Sequence, residues 1–383
     1  MNEVGYILLS FAYSVIGLYA FMIIYAISGW KKLKSSDAKS QEIAVSILVA
    51  ARNESNNIEI VLRDLFAQNY PSNLFEVIVI NDYSEDDTLE NCEALKAEFP
   101  DLKVLSNQSE EGKKAALQTG LENAQFEIIA TVDADCRVGS EWLGTMLTNW
   151  STGKTKMLLG PIVLEPAITV FERIQSLEML SIMGLTGGFA SRQKPIMANG
   201  ANLFFSKTAF KEIGGYKSSN NPSGDDVFTM LKFSQKWPES VRFVKHYEAA
   251  ISTPPQALFS DFWQQRKRWL SKKGGYQSTL VKATAIITYL ANVAAFISLL
   301  FIILAFGTSW TDKLMWVLFI KTTLDLLLTR TVSRDLQPYC GIANIFVAEV
   351  FISVYVTFLG IFGNVTNYVW KGREVNVKAR NSK

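Results

Sequence analysis

Nitrogen and sulfur ligands are scarce here: one histidine and three cysteines serve 383 residues. Cys92, Cys136 and Cys340 lie in separate regions, show no metal-ligand spacing and make an odd count, which argues against a disulfide framework and a zinc site. They read as reduced packing residues. His246, between Lys245 and Tyr247, has no companion motif and reads as structural. Excess charge is missing too. The formal net charge is +2, and the soluble part has no compact basic stripe with interleaved aromatics, so nucleic acid is not an expected partner.

Charge is also absent from whole stretches. Residues 4 to 27 carry none and are long enough to span a bilayer core. A cleaved signal peptide needs a basic n-region and a small-residue cleavage site. Here Glu3 is the only charge before the run, and Trp30-Lys31-Lys32-Leu33-Lys34 follows it, which reads as a retained anchor with its N-terminus outside and a cytoplasmic flank. Residues 281 to 306 make a second span. Leu314 to Leu328 makes a third, weakened by Lys321 and Asp325, and Gly341 to Val369 a fourth, followed by Trp370-Lys371-Gly372-Arg373 and a basic tail. Ionisable residues in a membrane are costly and often functional, although an i,i+4 pair on one helix also neutralises itself. Four full spans starting outside put the basic tail outside, against the positive-inside rule. The third segment is therefore expected to be re-entrant or interfacial, or the last block not a simple span.

Between the apolar blocks the pattern alternates. Ile43 to Ala51 reads as a strand, Ile58 to Gln68 as a helix stopped by Tyr70-Pro71, and Phe75 to Ile80 as a second strand. A helix from Thr88 to Phe99, a strand near Leu102 to Leu105, a helix from Lys113 to Asn123, a strand from Glu127 to Val132 and a helix near Glu141 to Trp150 complete the series. Such alternation implies right-handed βαβ units and a mostly parallel sheet. Beyond Met157 the pattern is less regular: a helix over Thr169 to Leu185, then Gly187-Gly188, then a basic polar segment at Ser191 to Pro195.

Chemistry gathers at the strand ends. Asp133 and Asp135, in Thr131-Val132-Asp133-Ala134-Asp135-Cys136, emerge where an apolar strand stops, and Asp82 ends the second strand. In a parallel sheet these acids share one rim, where ligands of such sheets bind. Like charges there repel unless something positive binds. A hard divalent ion, held through one or two carboxylates plus substrate phosphates, meets that need, with Lys113 and Lys114 placed to neutralise phosphate. A plain solvated turn remains the alternative. Asp225 and Asp226 begin a helical run, either as capping acids or as a general base near the metal. Asp261 to Leu270, basic and aromatic, reads as an amphipathic interfacial helix, a role compatible with contact to substrate.

In this order and spacing the motifs resemble glycosyltransferase family 2, over about residues 43 to 272. The resemblance rests on Val49-Ala50-Ala51-Arg52-Asn53-Glu54, Val79-Ile80-Asn81-Asp82-Tyr83-Ser84, Gly112-Lys113-Lys114-Ala115-Ala116-Leu117, Asp133-Ala134-Asp135, Gly224-Asp225-Asp226 and Gln265-Arg266-Lys267-Arg268-Trp269. It implies a GT-A fold, an α/β Rossmann-like domain with a mostly parallel sheet, here with transmembrane helices at both ends. By the same resemblance Asp82 holds the nucleotide base or ribose, with Ala51 and Glu54 lining that pocket. Lys113 serves the phosphates. Asp133 and Asp135 form the metal motif for Mg2+ or Mn2+, Asp135 as the direct ligand, and Asp226 is the catalytic base. Asp225 stands where the family more often has Glu, which leaves its own role open. Gln265, Arg268 and Trp269 match the Gln-x-x-Arg-Trp motif of membrane-embedded polysaccharide synthases and ceramide glucosyltransferases, with Arg facing diphosphate and Trp near the acceptor.

The organisation expected is an anchor over residues 1–34, a GT-A domain over 40–255, an interfacial helix over 256–275, a transmembrane region over 276–370 and a tail over 371–383. The expected function is inverting, metal-dependent transfer from a nucleotide-sugar donor, UDP-linked, to a lipid or short glycan acceptor at the cytoplasmic face of the cell (inner) membrane. Membrane lipids are the other partner. A processive polysaccharide synthase is the alternative, and the few spans tilt against it. An inactive envelope scaffold has no need to keep the carboxylates. A transporter, suggested by Lys321 and Asp325, leaves the soluble domain unexplained.

Overall fold

The runs VSILVAA, FEVIVIN and IIATVD are apolar on both faces, the pattern of parallel strands covered by helices on two sides. The computed structural model describes residues 3–34, 42–108, 110–216, 225–270, 278–304, 310–336, 342–363, 368–370 and 373–375. Cys340, Gly224, the side chain of Asp225 and most of the basic tail lie outside the described residues.

Helix α1 (Glu3–Lys32) comes first, followed by β1 (Val45–Ala51), α2 (Ile58–Phe66), β2 (Phe75–Asn81), α3 (Thr88–Leu95), β3 (Leu102–Ser106), α4 (Lys113–Asn123) and β4 (Ile128–Asp133). Then come β5 (Arg137–Val138), α5 (Trp142–Thr148), β6 (Met157–Leu159), β7 (Ile162–Leu164), α6 (Val170–Ala190), β8 (Leu203–Ser206) and α7 (Lys207–Glu212). The remainder is α8 (Asp225–Lys236), β9 (Val241–Phe243), β10 (Ile251–Thr253), α9 (Phe259–Leu270), α10 (Thr279–Leu304), α11 (Thr311–Leu336), α12 (Ile342–Phe362), β11 (Tyr368–Trp370) and β12 (Arg373–Val375). The block expected to span from Gly341 to Val369 therefore has its helix end at Phe362 and an antiparallel strand pair at β11 and β12. Two units result. One comprises Lys31–Pro166 and Phe189–Pro254, the other Met1–Trp30, Ala167–Gly188 and Pro255–Lys383.

The first unit is built on a seven-stranded sheet in the order β3-β2-β1-β4-β8-β6-β9. Strands β1 to β4 pair in parallel, β8 runs against its neighbours β4 and β6, and β6 pairs in parallel with β9. The expected mostly parallel α/β sheet is therefore present. Ile58, Val61, Leu62 and Leu65 give α2 one buried stripe at helical spacing. Helix α4 presses close to the sheet because Gly120 has no side chain: a Cβ there would stand 2.6 Å from Ile80 Cδ1. Inside β2, Glu76 is buried yet partnered by Ser46 Oγ, by Lys103 Nζ at 2.6 Å and by the Gln125 N–H at 2.6 Å. Burial alone would raise its carboxyl, but these donors hold it below the ordinary glutamate value.

The second unit is helical. Three described helical segments are long and apolar enough to cross a membrane: Leu9–Lys32, Thr279–Leu304 and Asn344–Phe362. The charged third block of the sequence forms α11, one unbroken helix of 26 residues, and so is not a short re-entrant segment. Its Lys321, 2% exposed, lies 2.9 Å from Asp325 Oδ2 and also pairs with Glu349 of α12, while the hydroxyl of Tyr19 in α1 donates to Asp325. The charges are thus compensated inside the bundle, across three helices rather than within one. Sequence reading also ends α6 too early. It runs on through Gly187 and Gly188, because a Cβ at Gly188 would stand 2.3 Å from Ala26 O. That glycine admits α1; it does not stop the helix.

Candidate active site

The strand register sets the site. Ala51 pairs with Asn81 across β1 and β2, and Ala50 pairs with Asp133 across β1 and β4. Ala51, Asp82 and Asp133 therefore meet at the carboxyl rim of three adjacent parallel strands.

The loops above β1 and β2 are stitched together. Arg52 donates to Asp82 O at 3.1 Å and Tyr83 O at 3.0 Å, and lies 3.2 Å from a Glu85 oxygen. Asn53 N donates to Ser84 Oγ at 3.1 Å, and Glu85 N to Asn53 Oδ1 at 2.8 Å. Asn53 and Tyr83 both adopt positive φ, so both turns are sharp. Glu54 is buried: its N–H donates to Thr88 Oγ1 at 2.7 Å, and its carboxylate accepts from Asn57 Nδ2 at 2.8 Å. Asp82, 2% exposed, turns its carboxylate to the next loop, accepting from Gly112 N at 2.9 Å and Asn107 Nδ2 at 2.9 Å. Gly112 has φ +129°, a conformation that favours glycine, and delivers the chain into α4. The residue so placed is Lys113.

The ammonium of Lys113 forms a salt bridge with Asp133 at the end of β4. Beside them, Gly200 N donates to Asp226 Oδ2 at 3.2 Å, and Thr131 Oγ1 of β4 donates to Gly200 O at 2.7 Å. A Cβ at Gly200 would lie 3.9 Å from both Lys113 Nζ and Asp226 Cβ. Lys113, Asp133, Gly200 and Asp226 thus come together, although more than 100 residues separate the first from the last. Asn202, in the same loop, is spent on structure, bonded to Trp142 Nε1, Pro161 O and Ala249 O.

Asp135 is exposed and Asp133 half-buried, with Ala134 and Cys136 turned inward between and after them. Burial, followed by the charges of Asp133 and Asp135, pushes the Cys136 thiol well above its usual value. The described residues gather no group of three histidine, cysteine or carboxylate side chains around a metal position. Asp133 and Asp135 are the right kind of ligand for a hard divalent cation, which takes one or two carboxylates and completes its shell with substrate phosphates and water.

Gln265, Arg268 and Trp269 are half-buried on α9 of the helical unit. The residue between them that sequence reading passed over is Arg266. It is buried, salt-bridged to Glu178 of α6, and donates from Nη1 to Gln265 Oε1. A signal existed: Phe262, Arg266 and Leu270 recur every fourth residue, which puts a charge on the buried stripe.

Residues 46–214 match the model of Glycosyl transferase family 2. A beta-monoglucosyldiacylglycerol synthase from Trichormus variabilis is 29% identical over 274 residues, covering 70% of this chain and 56% of that protein. A poly-beta-1,6-N-acetyl-D-glucosamine synthase from Staphylococcus epidermidis is 26% identical over 285 residues, 68% of this chain and 64% of the relative. The chain thus spans between half and two thirds of the length of these relatives. Among solved structures, the mannosyltransferase PcManGT from Pyrobaculum calidifontis, in complex with GDP-Man and Mn2+, superposes with a TM-score of 0.59 at 17% identity, covering 93% of this chain and 96% of that one. That likeness shows the GT-A fold.

Proposed function

We propose, from the match of residues 46–214 to the model of Glycosyl transferase family 2, that the protein is an inverting, metal-dependent membrane glycosyltransferase. It takes a sugar from a UDP-linked donor to a lipid or short glycan acceptor at the cytoplasmic face of the cell (inner) membrane. The observation that carries the reading is the meeting of Lys113, Asp133, Gly200 and Asp226 at the carboxyl end of β4, in a chain with three helical segments apolar enough to cross a bilayer.

Each group has a task in that chemistry. Ala51, Glu54 and Asp82 line the nucleoside end. Asp133 and Asp135 would hold a Mg2+ or Mn2+ ion, which when bound would supply positive charge to the leaving diphosphate. Lys113 and Arg268 add to the same stabilisation, largest where negative charge grows in the transition state. Asp226 receives the acceptor's proton as the hydroxyl oxygen bonds to the anomeric carbon. The bond from that carbon to the phosphate oxygen breaks on the opposite face, and the nucleoside diphosphate leaves. One displacement inverts the configuration without a covalent enzyme intermediate. Gly200 N, bonded to Asp226, fixes the base beside the strand end. Asp225 keeps an open role next to it.

A second reading, a processive polysaccharide synthase, is favoured by the Staphylococcus epidermidis relative. The glycolipid synthase relative favours the first. Membranes containing the chain, incubated with labelled UDP-glucose, UDP-N-acetylglucosamine, UDP-galactose and GDP-mannose, separate the two. Label in the lipid extract supports the first reading, and label in a high-mass polymer supports the second. Label in neither overturns both.

A further inference from the structure

A charge stands where α9 should be apolar. Phe262, Arg266 and Leu270 share one face of the helix and all are buried, Arg266 at 3% exposure. Phe262 and Leu270 belong to a core cluster with Tyr355 and Leu359 of α12, so a leucine or methionine would pack at position 266. Buried ion pairs are commonly no more stabilising than apolar residues of similar volume. Packing alone therefore does not explain the arginine.

Its contacts do. One Nη donates to Glu178 of α6, whose other oxygen accepts from the Tyr355 hydroxyl, so α6 and α12 both anchor the guanidinium. The other Nη donates to Gln265 Oε1. The guanidinium carbon lies 4.2 Å from the ring centroid of Trp269 and 4.4 Å from that of Phe262. Arg266 thus touches two of the three α9 residues assigned to substrate. We propose that Arg266, fixed by Glu178 and Tyr355, is a positioning residue that orients Gln265 and Trp269 for transfer. The inference rests on the reading of α9 as substrate-facing.

The planar fork is what the task requires. A lysine keeps the charge toward Glu178 but neither bonds two acceptors in one plane nor stacks flat on indole. Loss of the pair leaves Gln265 and Trp269 on an intact helix in the wrong rotamers, and misplacement of about 1 Å costs on the order of 100-fold in rate.

The test uses the full chain in lipid nanodiscs with whichever of the four labelled donors the wild type uses best. Arg266→Met and Glu178→Gln are expected to lower kcat about 10- to 100-fold with donor KM within about 3-fold. Arg266→Lys is expected to fall between them and the wild type. Tyr355→Phe, which keeps the ion pair, is expected to lower kcat by about 3-fold and guards against a variant that does not fold. In a Trp269→Ala background, Arg266→Met is expected to cost less than about 3-fold more. Wild-type kcat in folded Arg266→Met and Glu178→Gln, or an undiminished Arg266→Met effect in Trp269→Ala, overturns the inference. If Trp269→Ala and Gln265→Ala are themselves fully active, the substrate-facing reading of α9 fails and the inference with it.

Discussion

Lys113 Nζ is salt-bridged to Asp133 and lies beside Gly200, whose N–H holds Asp226. The first residue of α4 is thereby joined to the last residue of β4. The ammonium neutralises a carboxylate at the strand end, and the proposed mechanism assigns it to the diphosphate. Lys113→Ala is expected to lower kcat/KM about 10- to 100-fold, or ~1.4 to 2.7 kcal/mol of transition-state stabilisation. Steady-state kinetics across a Mn2+ titration checks this, and unchanged kcat/KM removes Lys113 from the site.

Gly112 carries φ +129° and gives its N–H to Asp82. A Cβ there meets nothing within 4 Å, so a substitution acts through backbone strain alone. Gly112→Ala is expected to cost about 1 to 3 kcal/mol and to weaken nucleotide binding by freeing the Asp82 carboxylate from its loop. Thermal unfolding in detergent and UDP titration by calorimetry report the two effects separately.

The Glu76 carboxyl is held below its ordinary value by Lys103, Ser46 and the Gln125 N–H, against its burial. Its contribution to stability is therefore complete above the unfolded glutamate value and is lost as pH falls through the lower folded one. Glu76→Gln is expected to lower the melting temperature at pH 7, with the gap to wild type closing in acid well below pH 4.5. A gap that widens on acidification contradicts the assignment.

Gly188 meets Ala26 of α1 so closely that any side chain displaces one helix. Gly188→Leu is expected to destabilise by at least about 1 to 3 kcal/mol through overpacking, whereas Gly17→Ala, with nothing within 4 Å of the added carbon, is expected to be mild. Melting temperatures of the two variants in one detergent decide it.

Local patterns were legible. Helix α4 runs from Lys113 to Asn123 as expected, and β2 and β4 lie where apolar runs stop at Asp82 and Asp133. What depended on distant partners was not. Gly187-Gly188 looks like a helix stop because nothing local reveals Ala26 on the other side. Lys321 and Asp325 look like a private pair because Glu349 and Tyr19 belong to other helices. Asn202 and Gly200 sit in one unremarkable loop, yet one fastens three segments and the other holds Asp226. Arg266 was half-legible: its spacing from Phe262 and Leu270 puts it on the buried stripe, but its partner Glu178 lies on another helix.

The most direct test of the account is sugar transfer by purified wild type and Asp226→Asn, in vesicles of total membrane lipid extract, with a labelled UDP-sugar and either Mn2+ or excess chelator. The account predicts labelled lipid from the wild type in Mn2+ alone, with Asp226→Asn still binding UDP but transferring no sugar. Equal transfer by Asp226→Asn, or by the wild type in chelator, would contradict it.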